Sequence, residues 1–230
     1  MRLEAVHAEI NRVADRDAVF GIDVGNVNIQ TARFLHLGPG NLMVTSALYA
    51  TVGFGLPAGI AAALSFPGRQ VWTLSGDGAM AMVVPDLVTQ AEQHLPVINV
   101  VLTNKSLGFI LAEQDDTPQP HSSVTLSDID FAKVAEGFGV KGFTVRTRDE
   151  LRTVLDHVAR TTEPVLIDIK VTDDRELPVE HFPVHEDDHP DLPAFRRRYR
   201  AESLDAFATI AARHGVRLLA VATARATATS

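Results

Sequence analysis

The sequence predicts an α/β fold, a parallel β-sheet sandwiched by helices, and three observations predict it. Short apolar runs at residues 18–22, 71–74, 97–102 and 164–171 alternate with stretches of helical length, the pattern of βαβ units. The run 97–102 is of β-branched type and apolar on both faces, as central parallel strands are. Three of these runs end in turn chemistry: Asp23-Val24-Gly25, Gly76-Asp77-Gly78 and Asn104.

The elements follow in order. Leu3, Val6, Ile10 and Val13 recur at helical spacing and make residues 2–15 an amphipathic helix. The strand 18–22 leads into a mixed, helical stretch at 27–36, and residues 37–41, with two glycines and a proline, form a loop. Residues 46–64 are rich in Ala and Gly, which suits a helix packed tightly on a sheet; Pro57 belongs in a first turn, so that helix starts near Leu56. After the strand 71–74, residues 80–94 read as helix with a break at Pro85. After the strand 97–102, a turn from Asn104 to Gly108 leads into a helix bearing Phe109, Ile110 and Glu113. A polar loop at 115–123, a helix at 131–138, a strand at 142–145, a helix at 148–160 and a strand at 164–171 complete the pattern. Residues 1–172 are thus one α/β domain. Residues 173–215 read as an acidic, proline-containing extended segment and a closing helix, and 216–230 as a frayed tail.

Composition narrows the functional classes. The chain has 230 residues, 46% of them hydrophobic, enough for one large domain with a real core. A net charge of −8 argues against general nucleic-acid binding. Without cysteine there is no disulfide, thiolate metal site or cysteine nucleophile. No apolar run is long enough for a membrane span and no signal-type start is present, so a soluble cytoplasmic protein is expected.

Neighbouring loops at the ends of parallel strands open onto one crevice. Asn104 follows Asp77 by 27 residues, one helix and one strand later, the spacing that brings two adjacent strand ends together. A carboxylate and a carboxamide oxygen there form a hard ligand set suited to Mg²⁺ and a substrate phosphate. Gly76 and Gly78 let backbone N–H groups approach that phosphate. A bland strand-ending turn is the competing reading of Gly-Asp-Gly. A second competitor is a dinucleotide fold, since residues 53–58 match G-x-G-x-x-A and Asp77 lies where a ribose-binding acid would; against it, the polar, alanine-rich stretch 45–51 is a poor buried strand.

These residues carry a resemblance. Asp23-Val24-Gly25, Gly76-Asp77-Gly78, and Thr103-Asn104 through Gly108-Phe109-Ile110 resemble the diphosphate-binding domain of thiamine-diphosphate enzymes. The stretches 94–101, Glu113-Gln114, Asp128-Ile129-Asp130-Phe131, 163–168 and Asp174-Arg175 through Leu177-Pro178 make the closer likeness one to pyruvate oxidases. The likeness runs from about Leu3 to about Gly215. It implies thiamine diphosphate and Mg²⁺ as cofactors, with Asp77 and Asn104 side chains and the Ser106 main-chain oxygen as metal ligands. It implies Gly76, Gly78 and Ala79 at the diphosphate, and Val24, Gly25, Thr51 and Gly108 around the cofactor. Val52 falls beneath the thiazolium–pyrimidine bend, where a larger apolar side chain is more usual, and Phe109 and Glu113 fall on the substrate side. Plain core packing is an equal reading for Phe109. Where the family often has two asparagines this chain has Asn104-Lys105, and only the first need bind metal.

The resemblance also implies a reaction: oxidative decarboxylation of pyruvate, a 2-keto acid, to acetyl phosphate, CO₂ and H₂O₂. The chain corresponds to roughly the last third of a three-domain family. A pyrimidine-binding domain of a partner chain, which supplies the activating glutamate, and an FAD-binding domain would complete the enzyme in a homo- or hetero-oligomer. The chain alone is expected to be inactive. The alternatives are a quinone-linked pyruvate dehydrogenase, an acetolactate synthase-type enzyme, or a non-catalytic module with the same fold. His181, His185 and His189 with Asp187 and Asp188 read as a solvated acidic loop rather than a metal cluster, and the basic run 195–200 as an exposed helix face or a partner for those acids.

Overall fold

The computed structural model describes residues 1–115 and 121–172. The expected extended segment, closing helix and tail at 173–230, with their histidines and basic run, lie outside the described residues, as does most of the loop at 115–123. No helix of the described residues is long and apolar enough to cross a membrane.

The described residues form α1 (Leu3–Val13), β1 (Val19–Ile22), α2 (Asn26–Phe34), β2 (Leu42–Thr45), α3 (Gly55–Ser65), β3 (Val71–Gly76), α4 (Asp77–Val83), α5 (Leu87–Glu92), β4 (Val97–Thr103), α6 (Gly108–Asp115), α7 (Phe131–Gly137), β5 (Lys141–Val145), α8 (Arg148–Val158) and β6 (Val165–Lys170). A short 3₁₀ turn at Val84–Asp86 breaks the 77–92 segment at Pro85, where the proline predicts a break. The strands pair in parallel in the order β2-β1-β3-β4-β6-β5. From β1 the chain steps outward to β2 and then crosses to β3 on β1's other side, so the order reverses between β1 and β3. Crevices that bind ligands form at such points, outside the carboxyl ends of the strands.

The sheet is buried on both sides. Ile98, Val100 and Leu102 of β4 join Phe20, Ile22, Trp72 and Leu74 under α1, α2 and α8. On the opposite face Val101 and Leu166 meet Leu56, Met80, Leu87 and Phe131 from α3, α4, α5 and α7. Close approach on that face depends on missing side chains. A Cβ at Gly21 would lie 2.9 Å from the Gly55 carbonyl oxygen and 3.1 Å from the Ala58 Cβ, and one at Gly59 would collide with Thr73. This seats α3 directly on β1 and β3, the reason for the small residues in its sequence.

β2 is absent from the sequence expectation. It is an edge strand, paired only with β1, and Leu42, Met43 and Val44 are all exposed, so neither alternation nor a doubly apolar run marks it. Within the described residues the other predicted elements are present to within a few residues.

Glu9 is a polar residue on the buried stripe of α1, only 1% exposed. Arg152, Arg12 and Arg148 surround it, with Arg152 Nη2 and Arg148 Nε both 2.8 Å from Oε1 and Arg12 Nε 2.9 Å from Oε2. These bonds tie α1 to α8. Hydrogen bonding to Arg152, aided by the other two arginines, holds the Glu9 carboxyl down to about 2 from its usual 4.5. A depressed carboxyl pKa stabilises the fold fully above the unfolded value, and that stability is lost as the pH falls from 4.5 towards 2. The arginines are roughly half exposed, so solvent screens the cage. Glu9→Gln is expected to lower stability at pH 7 by about 1–3 kcal/mol. The gap to the parent in urea unfolding should narrow as the pH is taken down through that window; a gap independent of pH would contradict the assignment.

Candidate functional site

Strands β1, β3 and β4 are neighbours, and each ends at the same mouth. β1 runs into Asp23, Val24 and Gly25 and then α2; β3 ends at Gly76 and α4 begins at Asp77; β4 ends at Thr103, followed by Asn104 to Leu107 and α6. Together they line a cavity of about 560 Å³, within the range of small-molecule and cofactor sites.

The cavity brings together Val24, Gly25, Val52, Gly76, Asp77, Gly78, Ala79, Asn104, Ser106, Gly108, Phe109 and Glu113, all from the predicted site. Thr51 is not among the lining residues. Its N–H bonds to Ser46 Oγ at 3.0 Å and the residue is exposed beside the mouth.

Asp77 is the electrostatic centre. It is 4% exposed, and it accepts Gly78 N–H on Oδ1 (2.9 Å) and Lys105 N–H on Oδ2 (2.6 Å). Burial pushes its pKa up, and nearby Asp168 adds to this, while the two backbone N–H groups pull the other way. Among the described residues no cationic side chain bonds this buried carboxylate, and a cation there would stabilise it. Lys105 reaches Asp77 through its backbone, which stands at φ 62°, a left-handed conformation that asparagine adopts more easily than lysine. The lysine side chain itself is exposed.

Asn104 Oδ1 accepts Ser106 N–H at 3.1 Å and so folds the loop on itself. Leu107 N–H donates to Val124 O and Leu126 N–H to Lys105 O, both at 2.8 Å, so Ser106 sits between two bonds that pin the loop to residues 124–126. Ser106 Oγ and Asn26 Oδ1 are buried without a hydrogen-bond partner among the described residues. Added Cβ atoms at Gly25 and Gly76 would meet nothing within 4 Å, so both glycines border open space.

These features fit a bound diphosphate and a hard cation. Two partnerless polar atoms wait at the mouth, and two glycines leave backbone open to it. Among the described residues no three His, Asp or Glu side chains gather. The donor set at the mouth is one carboxylate, one carboxamide and main-chain oxygen, which suits a cation that fills its other positions with water or ligand phosphate.

Sequence reasoning missed Asn26, Asn28 and Ala50, which also line the cavity. Asn26 opens α2, and a Cβ added at Gly108 would lie 2.5 Å from its Nδ2, so the starts of α2 and α6 meet. Asn28 Nδ2 donates to Thr45 Oγ1 at 2.8 Å. The available signal was two asparagines directly after Gly25, at a helix start. The G-x-G-x-x-A stretch is accounted for differently: the N–H groups of Gly53, Phe54 and Gly55 all point at Asp23, so they are already used within the protein.

Residues 23–169 match the family model for the thiamine pyrophosphate enzyme C-terminal TPP binding domain. The chain is similar to pyruvate oxidase of Lactiplantibacillus plantarum, 42% identical over 212 residues, covering 90% of this chain and 35% of that protein. It is similar to the acetolactate synthase large subunit of Porphyra purpurea (34% identity, covering 69% of this chain and 27% of that protein). It is also similar to the large subunit of acetolactate synthase isozyme 2 of Escherichia coli (32%, covering 73% and 32%). The chain spans about a third of the length of these relatives.

Gly76 and Gly25 border the same open space with different backbones, and this can be tested. Gly76 lies at φ −74°, ψ 161°, which any residue adopts, so Gly76→Ala is expected to stabilise the chain by about 0.4–1 kcal/mol by restricting the unfolded state. Gly25 lies at φ 120°, ψ −156°, so Gly25→Ala should cost about 1–3 kcal/mol. Urea unfolding of both variants measures this; a destabilised Gly76→Ala would mean that the space beside it is filled.

Proposed function

The chain belongs to the family of thiamine pyrophosphate enzyme C-terminal TPP-binding domains, and on that premise we propose that it holds Mg²⁺ and the diphosphate of thiamine diphosphate in a pyruvate oxidase-like enzyme. The observation that carries this is the meeting of Asp77 and Asn104 with open backbone at Gly25 and Gly76 in one cavity between β1, β3 and β4.

In this reading Asp77 Oδ, Asn104 Oδ1 and the Ser106 main-chain oxygen ligate Mg²⁺. Backbone at Gly76, Gly78 and Ala79 faces the diphosphate, with the α2 and α6 starts at Gly25 and Gly108 on its other sides. Val24 and Val52 line the rest of the cofactor, with Thr51 beside them at the rim, and Phe109 and Glu113 border the substrate. When bound, thiamine diphosphate supplies the electron sink for loss of CO₂ from a 2-keto acid. This chain's task is to fix the charged end so that the reactive end is positioned.

The whole reaction proposed is that of pyruvate, phosphate and O₂ giving acetyl phosphate, CO₂ and H₂O₂, and it needs FAD- and pyrimidine-binding domains besides this one. The identity to pyruvate oxidase over most of the chain favours this chemistry over that of acetolactate synthase. An exposed apolar strip beside the mouth, with Leu48 101% and Tyr49 89% exposed and Leu42, Met43, Val44 and Val52 near 40%, is surface that a pyrimidine-binding partner domain would cover.

The test is a thermal titration of the chain with thiamine diphosphate, with and without Mg²⁺. A Mg²⁺-dependent rise in Tm is expected, equivalent to about 2.7 kcal/mol at a hundred times Kd. Asp77→Asn, which keeps the shape and removes the charge, should abolish that rise. No rise at saturating cofactor, or an equal rise in the variant, would sink the reading.

A further inference from the structure

Asp23 has no part in the metal site, yet it is the most heavily bonded carboxylate at the mouth among the described residues. It is 0% exposed. Oδ1 accepts N–H groups from Val24 (2.9 Å), Gly53 (2.8 Å) and Phe54 (3.2 Å), and Oδ2 accepts Gly55 N–H (3.1 Å) and Ser75 Oγ–H (2.9 Å). Four backbone amides and a hydroxyl around one carboxylate is the arrangement of an anion nest, here filled by the protein's own side chain. Hydrogen bonds to a carboxylate of this kind are the strong ones, and they offset the cost of burying it where, among the described residues, no cationic side chain bonds it.

The three amides of residues 53–55 belong to the turn that ends a wholly exposed stretch, residues 47–52. Gly53 is the first buried residue after it. The turn has no slack. Gly53 stands at φ 91°, and a Cβ there would lie 2.8 Å from Val83 Cγ1; a Cβ at Gly55 would lie 2.6 Å from Ser75 Oγ and 3.0 Å from Asp23 Oδ2. On the exposed side, Ala50 is held at φ 52°, a conformation alanine rarely adopts, with its N–H bonded to Ser46 O at 2.9 Å. Between the strained Ala50 and the locked Gly53 sits Val52, an apolar side chain 40% exposed and turned into the cavity wall. Backbone strain on one side and a carboxylate nest on the other are a device for presenting an apolar side chain rigidly, where exposed loops are otherwise free to move.

Resting on the function proposed above, we propose that Asp23 is a positioning residue: its carboxylate locks the 53–55 turn and thereby fixes Val52 against the thiamine portion of the ligand, so that the site distinguishes thiamine diphosphate from diphosphate alone. Asp23 acts through the backbone and touches no part of the ligand. Three of its five partners, Gly53, Phe54 and Gly55, lie apart from Asp77 and Asn104, while Val24 and Ser75 adjoin Gly25 and Gly76, so the thiamine side of the site is perturbed more than the diphosphate side.

The experiment uses the full 230-residue chain, unaltered and as Asp23→Asn and Ser75→Ala. Asp23→Asn removes the charge and replaces an acceptor of the Gly55 N–H by a donor. Ser75→Ala removes one donor only, and keeps the test alive should the first variant fail to fold. Amide hydrogen exchange is read first, without ligand. Peptides covering 53–55 should exchange about tenfold faster or more in Asp23→Asn, and to a smaller extent in Ser75→Ala, while β3 and β4 keep their protection. Calorimetric titration then compares Mg²⁺–thiamine diphosphate with Mg²⁺–pyrophosphate. Asp23→Asn should weaken the first about tenfold or more and the second by a clearly smaller factor, since Asp23 reaches Gly25 and Gly76 only through Val24 and Ser75.

Unchanged exchange at 53–55 overturns the proposal, and so does a parallel loss of both ligands, which is what general loosening of the fold would produce. If the unaltered chain binds neither ligand, the functional reading fails on its own, and the exchange result still decides whether Asp23 locks the turn.

Discussion

The two backbone hydrogen bonds to Asp77 are what the mouth of this fold is built on. One comes from Gly78, in the same turn; the other, at 2.6 Å, comes from Lys105 in the loop after the next strand. Together they join the end of β3 to the end of β4. The parallel pairing of these strands, Val71 against Val97 through Gly76 against Leu102, carries the two loops to the same height. Without that register the carboxylate and the Asn104 carboxamide would face different parts of the surface. The bond to Lys105 also forces a left-handed backbone at a residue ill suited to it.

Several unfavourable features gather at this mouth, although among the described residues Gln30 Oε1 is also buried without a partner and His94 and Ser123 also stand at positive φ elsewhere. The sheet interior is apolar, and its polar exceptions are satisfied: Asn99 exchanges hydrogen bonds with Gln90, receives one from Thr73 and donates another to Val165 O. At the mouth, by contrast, stand a buried carboxylate with a raised pKa, two partnerless polar atoms, and non-glycine residues at positive φ in Lys105 and Ala50. Local rules of stability are broken where a ligand would restore them. The glycines at 25 and 76 add to the pattern by leaving room rather than filling it.

How much of this the sequence discloses depends on the range of each interaction. The central strands are legible because both faces are buried and their apolar runs say so. Gly-Asp-Gly and Asn104 are legible because a strand–helix–strand unit has a fixed length, so their spacing implies proximity. β2 is not legible: its pairing to β1 satisfies one edge, its side chains stay in solvent, and no period results. Asp23 is visible only as a turn residue, since its partners at 53–55 lie 30 to 32 positions away. Glu9 looks like a surface residue of α1 until Arg148 and Arg152, 139 and 143 positions later, are brought over it by α8. Thr51, which the family pattern puts on the cofactor, is adjacent to the cavity wall yet outside it, while its neighbour Val52 lines the cavity.

On the proposed function, one cavity between β1, β3 and β4 receives Mg²⁺ and thiamine diphosphate. Backbone amide shift mapping by NMR, on the isotope-labelled chain titrated with Mg²⁺–thiamine diphosphate, tests it most directly. The largest shifts are expected at Gly25–Asn28, around Val52, at Gly76–Ala79 and at Asn104–Gly108, with α1 and α8 around Glu9 unmoved. Shifts centred anywhere else, or none at saturating ligand, would contradict it.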